Sequence, residues 1–178
     1  GAWLVKFRHT YDPKDIGRME YKYNEVARKC GINVPDYKLL DGKYFASKRF
    51  DIENGKRLHI ATAGALLNES ISNPKLDYKV LLHLTGYLTQ DSQQVDEMFQ
   101  RMVFNVLTDN KDDHVKNFSF ICREGKWSLA PAYDLTLCKE GYHGEHATSA
   151  NNKGNPDIED MLAVGESIRI PRRKGMEI

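Results

Sequence analysis

Trp3, Leu4, Val5 and Phe7 form an apolar run broken by one cation, Lys6, and read as a short buried strand. From Ile16 onward Met19, Tyr23, Val26, Ala27 and Cys30 recur at helical spacing, and Gly31 supplies a left-handed stop. A helix is therefore predicted over 16–30, with Glu20 near its first turns. Two β-rich segments flank Asp41-Gly42, a dipeptide favoured in type I′ hairpin turns. Strand, helix, hairpin is the predicted order up to Asp51.

Beyond Asp51 the pattern turns helical. Residues 61–68 and 76–89 have helical composition, and Asp91 or Ser92 is placed to cap a third helix. Its stripe of Val95, Met98, Phe99, Met102, Val103 and Val106 predicts a helix buried in the core. An acidic and amide-rich cluster over 109–117 interrupts this run, and then Phe118, Phe120 and Cys122 alternate with polar residues. A turn over 123–126 and a second strand over 127–135 follow, so the cluster is predicted to sit on a loop between a buried helix and a hairpin. A Gly- and Asn-rich loop then leads into a short amphipathic helix near Pro156, and no closing element is predicted over 172–178.

Composition narrows the field. The chain has 178 residues, 40% hydrophobic and 10% aromatic, which suits one substantial core or two small lobes. Its 26 basic and 25 acidic residues make no single-sign field, so direct nucleic-acid binding is not expected. Cys30, Cys122 and Cys138 lack metal-binding spacing and are expected to be reduced core thiols of a cytoplasmic protein. No apolar stretch reaches the roughly 18 to 20 residues that span a bilayer, and no membrane association is expected. Both ends are abrupt, which suggests a fragment or one product of a split gene.

The acidic cluster invites a chemical reading. Four residues separate Asp112 from Asn117, and Asp134 lies 17 positions beyond Asn117. Phosphoryl transfer requires such a set: one carboxylate to orient the acceptor hydroxyl, and an amide oxygen with a second carboxylate to hold magnesium. The bland alternative is that Asp and Asn after a helix simply cap and turn. Lys6 in a strand followed by Glu20 on a helix repeats the order of the kinase lysine and glutamate and favours the chemical reading. Asp109 and Asp113 are assigned to turns or caps.

RMEYKYNEVARKCGINVPDYKLL, SKRFD before RLHIATAGALL, FNVLTDNKDDHVKNFSF and LAPAYDLTL follow one another as in the HipA-like serine/threonine kinases, which this chain resembles from about Trp3 to the segment ATSANNKGNPDIEDML. These kinases are toxins of bacterial toxin-antitoxin systems. The resemblance implies an α+β, protein-kinase-like fold, with a partial small β-containing lobe and hinge over 1–51 and a mostly helical large lobe over 52–178. It also implies ATP and Mg2+ as cofactors. By position Lys6 matches the phosphate-contacting lysine and Glu20 its helical partner, while Lys48 and Phe50 would border the adenine and Asp51 the ribose. Asp112 matches the catalytic aspartate, Lys116 would neutralise the transferring phosphate, and Asn117 and Asp134 match the metal-binding pair. His114 is expected to be a hydrogen-bonded structural residue.

Further implications concern partners. A protein substrate is implied, within translation and of the aminoacyl-tRNA synthetase kind, and a DNA-binding antitoxin partner. The family's glycine-rich loop precedes the strand lysine, where this chain has only Gly1 and Ala2, so for the piece alone magnesium-dependent nucleotide binding is expected to be weak and phosphoryl transfer undetectable. A noncatalytic partner-binding module and a small-molecule kinase are the alternative readings.

Overall fold

The chain was described through a computed structural model that covers residues 1–69 and 76–178. Strands β1 (Trp3–Val5), β2 (Tyr37–Leu40) and β3 (Tyr44–Lys48) make an antiparallel sheet in the order β1-β3-β2, with Leu4 opposite Ser47 and Leu39 opposite Phe45. Asp41 and Gly42 turn the hairpin with φ of 49° and 66°, and Lys43 N–H bonds Leu40 O at 3.0 Å. The first strand is not buried as its composition suggests. It is an edge strand, with Trp3 37% and Leu4 46% exposed, and Lys38 Nζ covers the Trp3 ring at 4.1 Å.

Helix α1 (Ile16–Lys29) packs on β2 and β3, but only partly through the apolar stripe read from the sequence, of which Ala27 is buried and Tyr23 packs on the core. Its buried face is Gly17, Glu20, Asn24 and Ala27, whereas Val26 is 45% exposed. Burying polar groups is tolerable only with partners. Asn24 Nδ2 donates to Glu20 O at 2.8 Å, and the Glu20 carboxylate accepts from Lys6. Cys30, at the exposed end of this helix, is not a core thiol, and Cys122 and Cys138 are only partly buried; all three are free.

Gly17 lets α1 reach the hairpin, because a Cβ there would stand 2.1 Å from the Lys43 carbonyl oxygen. A backbone atom cannot yield as a side chain does. Gly17→Ala should therefore cost about 1–3 kcal/mol, read as a melting temperature lowered on the order of 5 °C. An unchanged melting curve would show that α1 can shift freely, and Glu20 with it.

The rest of the chain builds on a helical core. After the two-strand ribbon β4 (Ile52–Glu53) and β5 (Lys56–Arg57) come β6 (His59–Thr62), α2 (Ala63–Leu67), α3 (Tyr78–Thr89) and α4 (Ser92–Leu107). Then follow β7 (Ser119–Arg123), β8 (Lys126–Leu129), α5 (Ile158–Ser167) and α6 (Arg172–Glu177). Side chains of Asp77 and Asp91 cap α3 and α4, each accepting a backbone N–H at 2.9 Å, and Asp157 with Asp160 closes a capping box on α5. The predicted core face of α4 is buried through Met98, Phe99 and Met102, packed with Leu81 and Leu82 of α3 and with Phe118 and Phe120.

Three features depart from the sequence pattern. Residues 59–62 are a strand that completes the antiparallel sheet β6-β7-β8, with Ala61 opposite Phe120, so part of the helical-looking stretch is extended. The second hairpin strand stops at Leu129 instead of running to 135, since Pro131 has no N–H to pair and Ala130 O accepts from Arg101 at 2.8 Å. The final segment forms α6, which lies against α5, with Gly175 beside Leu162 and Phe99.

A second apolar cluster joins the sheet-and-α1 part to the helices. It contains Ala27, Ile32, Val34, Phe104, Ala132 and Leu135, flanked by Tyr23 and Tyr37. Tyr23 OH also donates to Thr108 O at 2.5 Å, tying α1 to the end of α4, and Ala132 N–H bonds Asn33 O at 2.8 Å. No helix among the described residues is long and apolar enough to cross a membrane.

Candidate functional site

Where α4 ends, the chain turns through Asp109 in the left-handed region, φ 54°. Four residues later Asp113 is buried, which corrects its assignment to a turn or cap. It accepts from Tyr78 OH at 2.6 Å and Thr148 N–H at 3.2 Å, and its Oδ2 lies 2.9 Å from His146 Nδ1. These bonds root the loop in the core. Its neighbour Asp112 is the exposed one, with the side chain 57% accessible.

Asn117 folds back over this turn. Its Nδ2 donates to Asp112 O at 2.8 Å and its N–H to His114 O at 2.8 Å, which leaves Oδ1 as a hard oxygen without a hydrogen-bond partner among the described residues. Asn117 and Asp134 border the same small chamber. Burial raises the Asp112 carboxyl, the His114 imidazole offsets part of that rise, and the negative charges of Asp134 and Asp113 add to it. His114 Nε2 stands 3.7 Å from Asp112 Oδ1, too far for a hydrogen bond, and its buried Nδ1 has no partner among the described residues. The expected hydrogen-bonded role of His114 is thus not what the structure has.

Asp134 also holds left-handed backbone, φ 55°, a conformation that a non-glycine residue keeps only when its surroundings impose it. Lys6, just past β1, reaches across and bonds both Asp134 Oδ1 and, at 2.5 Å, Glu20 Oε1. Burial pulls the Lys6 ammonium down, but the charges of Asp134 and Glu20 outweigh it and hold Lys6 above its ordinary value. Burial raises the Glu20 carboxyl, and Lys6, shared between two acids, offsets it only in part.

Between the sheet and the 132–134 segment lies a cleft of about 570 Å³. Lys6, Asn24, Lys48, Phe50, Asp51 and Asp134 are among its walls. The Phe50 ring rests on Tyr133 with centroids 5.7 Å apart. Lys48 N–H is already bonded to Asp36 O at 2.7 Å and Arg49 N–H to Ala2 O at 2.9 Å, so Phe50 is the first residue of this stretch whose amide is not committed there. Asp51 is gripped by Arg49, whose hydrogen bond holds its carboxyl below the usual range. The Lys116 side chain is exposed, while its carbonyl accepts from Tyr133 OH at 2.5 Å.

Several members of this arrangement carry no sequence signal of their own. Tyr133 ties the loop to the cleft through Lys116 O and Ser119 Oγ, yet its position beside Asp134 was the one available cue. The partners of Asp113, namely Tyr78, His146 and Thr148, lie about 35 positions away along the chain and meet it only in the fold. The arrangement offers an ammonium clamped by two acids, a second carboxylate raised by burial, and an apolar-walled cleft beside them.

Comparison with known proteins gives these features a context. Residues 1–178 match the family model described as the HipA-like C-terminal domain. "Putative kinase Y4dM" of Sinorhizobium fredii (strain NBRC 101917 / NGR234) is 27% identical over 169 residues, covering 85% of this chain and 41% of that protein. A chain from the Shewanella oneidensis MR-1 toxin-antitoxin complex of HipA, HipB and its operator DNA superimposes with a TM-score of 0.82 at 20% identity, over 98% of this chain and 47% of that one. The Helicobacter pylori proinflammatory kinase CtkA superimposes with a TM-score of 0.64 at 16% identity, over 98% of this chain and 77% of that one. The chain thus spans less than half the length of the curated relative and of the Shewanella chain. Its α+β fold is protein-kinase-like.

Proposed function

The chain belongs to the HipA-like C-terminal domain family, and from that premise we propose that it is a kinase domain that transfers the γ-phosphoryl group of Mg·ATP to a serine or threonine hydroxyl of a protein. The observation that carries this reading is the single ammonium of Lys6 bonded at once to Glu20 and Asp134. A phosphate-binding lysine needs a fixed acid to aim it, and a metal-binding carboxylate close by. On this reading residues 1–51 form the partial small lobe and hinge, and 52–178 the large lobe.

Asn117 Oδ1 and the Asp134 carboxylate fit magnesium, because both are hard oxygens and the ion keeps its remaining places for water and phosphate. Bound magnesium supplies charge neutralisation for the β- and γ-phosphates. Lys6 steadies the same phosphates, Glu20 keeps Lys6 on line, and the Phe50 side of the cleft takes the base, with Asp51 turning from Arg49 toward the ribose. Asp112 would receive the acceptor's proton as the hydroxyl oxygen bonds to the γ-phosphorus and the bond from that phosphorus to the β–γ bridging oxygen breaks, ADP leaving with the bonding pair, and Lys116 would meet the charge on the moving group. By family, the whole protein acts as a toxin with a DNA-binding antitoxin partner.

Calorimetry with ATP and magnesium tests the reading apart from catalysis. Asp134→Asn removes a charged oxygen from the metal site and should weaken magnesium-dependent ATP binding about tenfold or more. Equal affinity in the variant and the parent chain would remove Asp134 from the metal site, and an absence of nucleotide binding in both would favour the noncatalytic module.

A further inference from the structure

Both chain neighbours of Asp112 are spent on holding one excursion of the chain, residues 138–155. On one side the Lys111 ammonium donates to Gly144 O and to Asn155 Oδ1, each at 2.8 Å. Its backbone N–H bonds Cys138 O at 3.0 Å, and its carbonyl accepts from Ala147 N–H at 3.1 Å. On the other side Asp113 holds His146 and Thr148. The approach is close: a Cβ added to Gly141 would come within 2.5 Å of Lys111 Cβ.

The acceptors of the ammonium are neutral oxygens. In many kinases the loop at this place becomes ordered only when a phosphate is added and recruits a cation. Here the serine and threonine hydroxyls of the excursion are already engaged. Thr148 is wholly buried and donates to Asp113 O at 2.6 Å, and Ser149 donates to Asp77 Oδ2 at 2.9 Å. A phosphate on Ser149 would stand against the Asp77 carboxylate, so modification there opposes closure.

Resting on the kinase reading above, we propose that Lys111 is a positioning residue whose ammonium holds residues 138–155 closed without any phosphate, and thereby fixes the direction of Asp112 and of the acceptor-facing surface beside it. The lysine does through a carbonyl and an amide oxygen what a phosphorylated loop does through its phosphate. Its action on the reaction passes through Asp112 and not through the nucleotide.

Lys111→Gln keeps a donor but removes the charge and shortens the reach, and Lys111→Arg restores a cation. In Lys111→Gln, hydrogen exchange at the amides of Gly144, His146 and Ala147 should speed up about tenfold or more, with the amides of α4 unchanged, and Lys111→Arg should recover most of the protection. In the whole protein, with myelin basic protein as the probe acceptor, transfer should fall about ten- to hundredfold while the KM for ATP stays within about twofold. Phosphatase treatment of the parent chain should alter neither exchange nor transfer. Unchanged exchange over 138–155 in Lys111→Gln, or opening of the parent chain by phosphatase, overturns the proposal. Failure of the kinase reading would register separately, as a parent chain that binds no Mg·ATP.

Discussion

In the whole protein, Asp112→Asn is expected to lower phosphoryl transfer by about 10²- to 10⁴-fold while leaving most of the Mg·ATP affinity. The variant deletes the proton acceptor and little else. Asn117 bonds the backbone oxygen of residue 112, not its side chain, so its amide keeps its orientation. The Lys6 contacts with Glu20 and Asp134 do not involve Asp112 either. A carboxyl raised by burial and by neighbouring negative charge is better matched to a proton transfer near neutral pH than an ordinary surface aspartate. Radiolabel transfer measured beside calorimetry decides it. Equal losses of binding and transfer would place Asp112 in the metal site instead, and full retention of transfer would remove it from the chemistry.

Asp113→Ala, one position along, is expected to act on the fold. Removing that carboxylate strands the Tyr78 hydroxyl and the Thr148 N–H, both fully buried, and takes away the partner of His146. Each unsatisfied buried donor costs about 1–3 kcal/mol, and losing one side of such a buried charged network costs roughly 3–5 kcal/mol. In a domain of this size the melting temperature should fall by roughly 10 °C. Burial also holds the Tyr78 hydroxyl well above its ordinary value. A melting curve close to the parent's would mean that water enters and replaces the carboxylate. Two adjacent aspartates are thus expected to fail in opposite ways, one in rate and one in stability.

The difference between these two residues was not legible in the chain. Asp112 and Asp113 stand side by side in a run of polar residues, and nothing local tells which one faces inward. The choice is made by Tyr78, His146 and Thr148, which are brought to the loop by α3 and by the 138–155 excursion. Lys111 shows the same limit, since a lysine in an acidic run reads as a solvated charge until Gly144 and Asn155 are seen beside it.

What the sequence determined by itself was the set of local structures whose signal is a repeat or a turn. The helix under Met98, Phe99 and Met102, the Asp41-Gly42 hairpin and the Asp91 cap all follow from hydrophobic period and backbone preference, which act within a few residues. The motif order from Lys6 through Asp134 was also readable, because it is a linear pattern. Tertiary structure decided the buried face of α1, where Glu20 turns inward because Lys6 gives its carboxylate a partner, and where the Asn24 amide beside it bonds back to Glu20 O. It decided that residues 59–62 extend, because β7 offers an open edge that a short ambiguous segment can join. It also decided which aspartate is anchored and which is left exposed, because hydrogen-bond partners distant along the chain become neighbours only once the core has closed.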